Sequence, residues 1–341
     1  MAHAVAIVAT GLVTSVGLTA AHTCAALRAK ISNPTPTRFI DSGGEWIMAH
    51  QVELEQPWRG LTKLAKMAAL AIDEAAESLP RAQWGALPLL LCVAEAERPG
   101  RMAGLDDELF EQVQHELGAS FHKDSAVVAH GRVAVAVALL RARELIAAGH
   151  ARVLIAATDS LLSWPTLSHY EREDRLLTGR NSNGFMPGEG AGALLIEAAH
   201  GSPGELACTG LGFGREAAPI DSEEPLRADG LSQAIQGALA DAGIAMHDID
   251  YRITDLSGEQ YYFKEAALAL SRTLRQRKET FDIWHPAESI GEAGAAAGTA
   301  VLALAHAACS KAYTLGPAIL AHLANDAGQR AALTLDWRGA A

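Results

Sequence analysis

Residues 125–160 read SAVVAHGRVAVAVALLRARELIAAGHARVLIAATDS. The apolar run 126–129 has the character of a short buried strand, and His130-Gly131-Arg132 makes a sharp turn. Val133, Val137, Leu140 and Ile146 then recur at roughly helical spacing, and Gly149 stands where a helix-terminating glycine is expected. A second apolar run, 153–157, follows at once. Strand, tight turn, helix and strand in about 35 residues form the βαβ unit of an α/β domain.

Working outward, residues 5–10 form a β-branched strand that leads into GLVTSVGL and a helix over 24–30. Residues 32–58 hold Pro34, Pro36 and Pro57 and read as an irregular surface excursion. A strongly periodic helix over 59–79 stops before Pro80, a buried strand occupies 89–94, and 106–117 is a polar surface helix. After the βαβ unit, 161–180 is irregular with several helix formers. Residues 181–197, NSNGFMPGEGAGALLIE, then carry a glycine-rich run into an apolar strand at 193–196. A phosphate-binding glycine loop would need a following Lys-Ser/Thr and a helix, and has neither here. A linker over 199–204, with Gly201, Pro203 and Gly204, precedes a restart of the pattern: strand 206–213, helix 230–242, strand 250–254, helix 266–274. The expected organisation is an N-terminal half, 1–200, and a C-terminal half, 205–341, forming together one compact domain.

The chain has 341 residues, 49% hydrophobic and 20% charged, enough apolar surface for a large core. Its net charge of −12 argues against a nucleic-acid partner. No run approaches the roughly 18 apolar residues of a membrane span. The start, MAHAVAIVATGLV, lacks a basic region and reads as a strand, which argues against a secretory signal and for a cytoplasmic location. Cys24, Cys92, Cys208 and Cys309 form no CxxC pair and read as small buried hydrophobes. His285, His306 and His322 offer no HxxxH or HExxH spacing, so no metal and no cofactor is expected. Ser125, Ser160 and Ser289 lack the context of a hydrolase nucleophile. Arg272, Arg275, Arg277 and Lys278 form the densest basic run, which either complements a helix end or docks an acidic partner.

The turn at 130–132, the opening GLVTSVG and the run 184–192 together resemble the β-ketoacyl-acyl carrier protein synthases (ketosynthases) of the thiolase superfamily. Gly184-Phe185, two variable residues, then Gly188-Glu189-Gly190-Ala191-Gly192 reproduce the family's motif. The resemblance covers almost the whole chain. It implies an α/β protein with the thiolase-like five-layer αβαβα fold, made of two pseudo-repeated βαβ-rich halves. It also implies a dimer through the strand at 125–129, either a homodimer or a heterodimer with a ketosynthase. An acyl carrier protein or another protein would be a further partner.

The departures from the family fall on its chemistry. Its reactive cysteine sits at the N-terminus of the buried helix, where the helix dipole favours a thiolate. Counting back from Gly149 puts Arg132 there, and no cysteine lies between Cys92 and Cys208. The family's His-Gly-Thr turn corresponds to Asp255-Leu256-Ser257, with Glu265 at the position of a helical glutamate downstream. Its second histidine, three residues before a Gly-Ala-Ala-Gly-type helix marked here by Gly291 and Gly294, corresponds to Glu288. The glycine-rich loop near the family's C-terminus corresponds to Asn325-Asp326-Ala327-Gly328-Gln329. Decarboxylating condensation needs a thiolate to hold the acyl group and two histidines that donate hydrogen bonds to a developing enolate. Carboxylates would repel that charge, and a guanidinium is no nucleophile.

Arg132, Asp255 and Glu288 are therefore expected to form a charge network in the former active site, in a protein that acts by association. A chain-length-factor-like subunit of fatty-acid or polyketide assembly is one example. An adaptor in an unrelated machine, and an active acyl-thioester enzyme using His130 or a carboxylate, are the alternatives.

Overall fold

Successive side chains of a fully buried strand join different apolar clusters, and this decides the architecture. In 89–93, Leu89, Leu91 and Val93 join one apolar cluster, while Leu90 and Cys92 join another. A strand apolar on both faces must be covered on both. The computed structural model, which describes residues 4–339, supplies helices on each side.

The first half runs β1 (Val5–Val13), α1 (Ala20–Arg28), β2 (Thr35–Ile40), β3 (Trp46–Ala49), α2 (Gly60–Ala75), β4 (Leu89–Val93) and α3 (Glu108–Leu117). It continues through β5 (Ala126–Ala129), α4 (Ala134–Ala147), β6 (Arg152–Ser160), α5 (Trp164–Arg172) and β7 (Glu189–Ala198). The second half runs β8 (Glu205–Arg215), α6 (Asp229–Ala242), β9 (Tyr251–Thr254), α7 (Gln260–Thr273) and β10 (Ile283–Trp284). It ends with α8 (Ala287–Ile290), α9 (Ala297–Ser310), β11 (Ala318–Ala324) and β12 (Gln329–Arg338).

The spatial strand order is β5-β4-β6-β7-β1 in the first half and β10-β9-β11-β12-β8 in the second. Counted by order of appearance with the separate β2–β3 hairpin left out, both halves read third, second, fourth, fifth, first. Pairing is parallel among the first three and antiparallel among the rest in each half. A short antiparallel contact between β1 and β8 joins the two groups. Helices α4 and α9 lie in the cluster lined by both groups of strands, so they form a shared middle layer. Helices α2 and α3 cover the outer face of the first group, and α6 and α7 that of the second. The result is five layers, αβαβα, built from two topologically equivalent halves. No helix among the described residues is long and apolar enough to cross a membrane.

Two expectations need correction. Residues 32–58 are not wholly irregular: β2 and β3 pair as a hairpin, with Ile47, Ala49 and Val52 buried beneath it. Its prolines hide the strands, because Pro36 occupies a paired position in a two-stranded ribbon, where a missing donor is tolerated. Within 161–180, α5 begins where Ser163 accepts a hydrogen bond from the Thr166 amide, an N-cap. The last strands, β11 and β12, carry few β-branched residues and give little propensity signal.

Candidate functional site

The chain leaves β5, the end strand of its layer, and turns sharply at Gly131, whose φ of +56° lies in the left-handed region. A single 3-10 turn over Gly131–Val133 feeds directly into α4. Arg132 is thereby placed at the positive end of a buried helix with only 7% of its surface exposed. A cation there is opposed by the helix dipole and by desolvation. Only nearby anions can hold it.

Four elements of the second half supply the partners. Arg132 Nη1 donates to Glu292 Oε2 at 2.9 Å, from the segment between α8 and α9. Its Nη2 donates to Asp326 Oδ1 at 2.8 Å, in the β11–β12 turn, and to the Tyr262 hydroxyl of α7 at 2.8 Å. The guanidinium lies 4.6 Å from the Tyr262 ring centroid, a cation–π distance. Asp255, just after β9, comes within 3.9 Å of Nε.

The network extends outward. Asp326 also accepts from Arg175 at 2.7 Å and from the Tyr170 hydroxyl at 3.1 Å. Arg175 makes a two-pronged pair with Glu259 at 2.7 and 2.9 Å. Arg98 does the same with Asp159 at 2.6 and 2.7 Å, and Asp159 accepts the Ala295 amide at 2.9 Å, at the entrance to α9. The two halves meet here through matching turns, because Gly294, like Gly131, has a φ of +56° and opens a 3-10 turn.

Protonation follows from burial and pairing. Burial pushes the Asp255 carboxyl up to about 7, with Arg132 only partly offsetting it. Burial would raise Asp326 too, but Arg132 and Arg175 hold it well below the usual carboxylate range. Burial also raises Glu95 and Glu259, against the pull of Arg98 and Arg175 respectively. Arg132 stays protonated: burial disfavours its charge, and Glu292, Tyr262, Asp326 and Asp255 together more than restore it. Beside the network the free volume is about 20 Å³, the space of a single water. Such an assembly can hold charge and fix geometry, and the side chain it presents at the head of α4 is a guanidinium, not a thiol.

Glu288 does not join Arg132. It sits on α8, half exposed, and pairs with His285 at 2.9 Å. The helix starts later than the sequence suggests: a 3-10 turn covers Gly294–Ala296 and α9 begins at Ala297. The residue facing the elbow is consequently Glu292, four positions on. His130 lies beside the network, its Nδ1 3.3 Å from Gln329 Oε1.

The glycine-rich segment lies on the floor of the site. Gly184 packs on the Leu176 backbone, and Gly188 on the Ile290 carbonyl. Gly190 lies against the Val13 carbonyl, and a Cβ on Gly192 would lie 2.2 Å from Thr299 Oγ1. Phe185 is buried. Glu189 accepts the Val52 amide at 2.9 Å and the Ser160 hydroxyl at 2.8 Å, and pairs with Lys63. Gly291, with a φ of +68°, lets the backbone turn from α8 past the Met186 carbonyl.

Tyr262, Glu292, Asp326, Arg175, Arg98 and Asp159 were not singled out by sequence as parts of one site. Their signal was present only as polar or charged residues inside apolar or glycine-rich frames. Of the basic run, Arg272 pairs with Asp229 and Lys278 caps carbonyls of 247 and 249. The described residues hold one cluster of three potential metal ligands, His122, Asp124 and His150, away from all of these.

Comparison with known proteins agrees with this architecture. No family model matches the chain. A protein of Streptomyces coelicolor described as a polyketide beta-ketoacyl synthase is 33% identical over 162 residues, which is 42% of this chain and 36% of that protein. The match therefore spans well under half of the relative. Among solved structures, a type II polyketide synthase acyl-carrier protein in complex with its ketosynthase bound to the hexaketide includes a similar chain. It has a TM-score of 0.80 and 16% identity, over 99% of this chain and 100% of that one. A ketosynthase in complex with its chain length factor from Xenorhabdus doucetiae gives a TM-score of 0.74 and 14% identity, over 98% of each chain. Such identities establish the fold. Layer order, elbow and these likenesses together show that this chain has the thiolase-like fold that ketosynthases share.

Proposed function

We propose that this protein is a catalytically inactive ketosynthase-like subunit that works by association, in the manner of a chain length factor beside a ketosynthase in polyketide assembly. One observation carries the reading. At the head of α4, where a nucleophile would need an open face, Arg132 is held by Glu292, Asp326 and Tyr262, with about 20 Å³ to spare.

In this reading Arg132, Asp255 and Glu292 stand at the positions of the family's cysteine and two histidines. Glu292 precedes Ala295-Ala296-Ala297-Gly298 by three residues, the spacing expected of the second histidine. Carboxylates there oppose an enolate instead of stabilising it. The heterodimer named for the Xenorhabdus doucetiae structure, and the edge position of β5 in this chain, support a ketosynthase as partner through 125–129.

Two measurements test the proposal. The first is intact mass after incubation with acyl- and malonyl-carrier thioesters, beside an Arg132→Cys variant. Wild type is expected to stay unmodified and leave the thioesters intact, and a stable adduct or thioester turnover by wild type would end the reading. The second is co-purification with a co-expressed ketosynthase of type II polyketide assembly. A stoichiometric complex is expected, whereas capture of an unrelated machine instead would favour an adaptor role.

A further inference from the structure

Away from the charge network, two turns meet at the far end of α4. Residues 122–125 form the turn that enters β5, and Gly149-His150 form the turn that leaves α4. His150 Nε2 lies 3.0 Å from Asp124 Oδ2, and His122 Nδ1 lies 3.5 Å from the same oxygen. The two imidazole rings converge, with centroids 4.8 Å apart. One nitrogen of each ring and one carboxylate oxygen all fall within 4.8 Å of one another. A tetrahedral zinc site with bonds of about 2.0–2.1 Å sets its ligands roughly 3.4 Å apart. The two measured separations bracket that value.

Both turns are fixed by main-chain bonds, independently of the cluster. The His122 amide donates to the Leu87 carbonyl at 3.0 Å. The Ser125 amide and hydroxyl both donate to the His122 carbonyl, at 3.0 and 2.6 Å, and the hydroxyl accepts the Leu89 amide at 2.9 Å. On the other side, Gly149 has a φ of +109° and the His150 amide donates back to the Leu145 carbonyl at 3.1 Å, a helix-ending motif. The cluster is thereby held at the negative end of α4, where a cation is favoured. A metal ion displaces the His150–Asp124 pair and the Asp124 amide on His122 Nδ1, which at 3.2 Å is at the long limit of a hydrogen bond.

We infer that His122, Asp124 and His150 bind a divalent transition-metal ion of the zinc type, with water completing a four-coordinate site. Two imidazoles and one carboxylate select such an ion over Mg2+ or Ca2+, which take oxygen ligands. Asp124 is exposed, so the ion enters directly from solvent. Once bound, it clamps the turn before β5 to the end of α4. The site escapes sequence pattern because its ligands come from two turns, with Asp124 and His150 26 positions apart. The inference goes beyond the proposed association with a ketosynthase and does not depend on it.

Isothermal titration of the metal-free protein with Zn2+, and thermal unfolding with and without the ion, test it. One saturable site per chain and a rise in Tm that a chelator reverses are expected. His122→Ala and His150→Ala should each weaken binding at least tenfold and lose the rise in Tm. His200→Ala, on an exposed loop, should leave both unchanged. No saturable binding of Zn2+, or binding and a Tm rise that persist in both variants, would leave only an ion pair and overturn the inference. Equal effects of Mg2+ would overturn it as well. If an alanine variant fails to fold, Asp124→Asn, of nearly the same shape, carries the same test.

Discussion

Arg132 combines two unfavourable placements, burial and the positive end of a helix, and is stable there only because Glu292 and Asp326 approach within 2.9 Å. Removing it leaves several carboxylates buried without their cation. Arg132→Ala is expected to lose about 3–5 kcal/mol, read as a fall in the denaturant midpoint. Replacing the whole set by apolar residues of similar volume should cost less, because the desolvation penalty is removed with the charges.

Asp255 carries a pH signature. Its folded pKa of about 7 lies above the ordinary 3.8, so between those values the native state binds a proton that the unfolded chain does not. Stability from this group is greatest at low pH and declines as pH rises through that window. Asp255→Asn should flatten the decline, with a smaller difference in Tm between pH 5 and pH 8 than wild type shows and a higher Tm at pH 8. An unchanged slope would place the titration elsewhere. At this scale the sequence located Arg132 and Asp255, which are anchored by neighbouring motifs. It misplaced the third carboxylate, since Glu288 and Glu292 both precede the same alanine-rich helix, and only the point where that helix begins separates them.

Elements built from small residues pack backbone against backbone. Gly212 on β8 faces α6 so closely that a Cβ would stand 2.0 Å from the Ala234 carbonyl oxygen and 2.3 Å from the Ala238 amide. A Cβ on Gly11 of β1 would likewise stand 2.1 Å from the Ala71 carbonyl oxygen of α2, the equivalent contact of the other half. Gly212→Ala must therefore push α6 off its strand, at about 1–3 kcal/mol. Gly85→Ala, with nothing within 4 Å, should stay within about 0.5 kcal/mol; urea unfolding of both checks the contrast. Strands β1, β4 and β6 and helices α2 and α4 were legible because their apolar spacing is regular. The β11–β12 hairpin was not, because residues 318–324, AILAHLA, are apolar on both faces, which erases the period that marks a strand.

At the scale of the molecule, β5 ends the first strand group and pairs only with β4 among the described residues. A free edge of this kind invites a further strand. Ala126 on it is exposed, so Ala126→Lys should leave Tm nearly unchanged while weakening association through this edge, measured by native mass spectrometry with and without a ketosynthase. An undiminished complex would move the interface elsewhere. The sequence by itself determined the fold class, the elbow and the absence of a cysteine at its tip, because these rest on local periodicity and on motifs read residue by residue. Which carboxylates reach Arg132 was decided only by tertiary structure. Glu292, Asp326 and Tyr262 lie 160, 194 and 130 positions away along the chain. They meet Arg132 because the two halves bring α4 and α9 into one layer, and no local pattern encodes which side chains that packing presents to a buried charge.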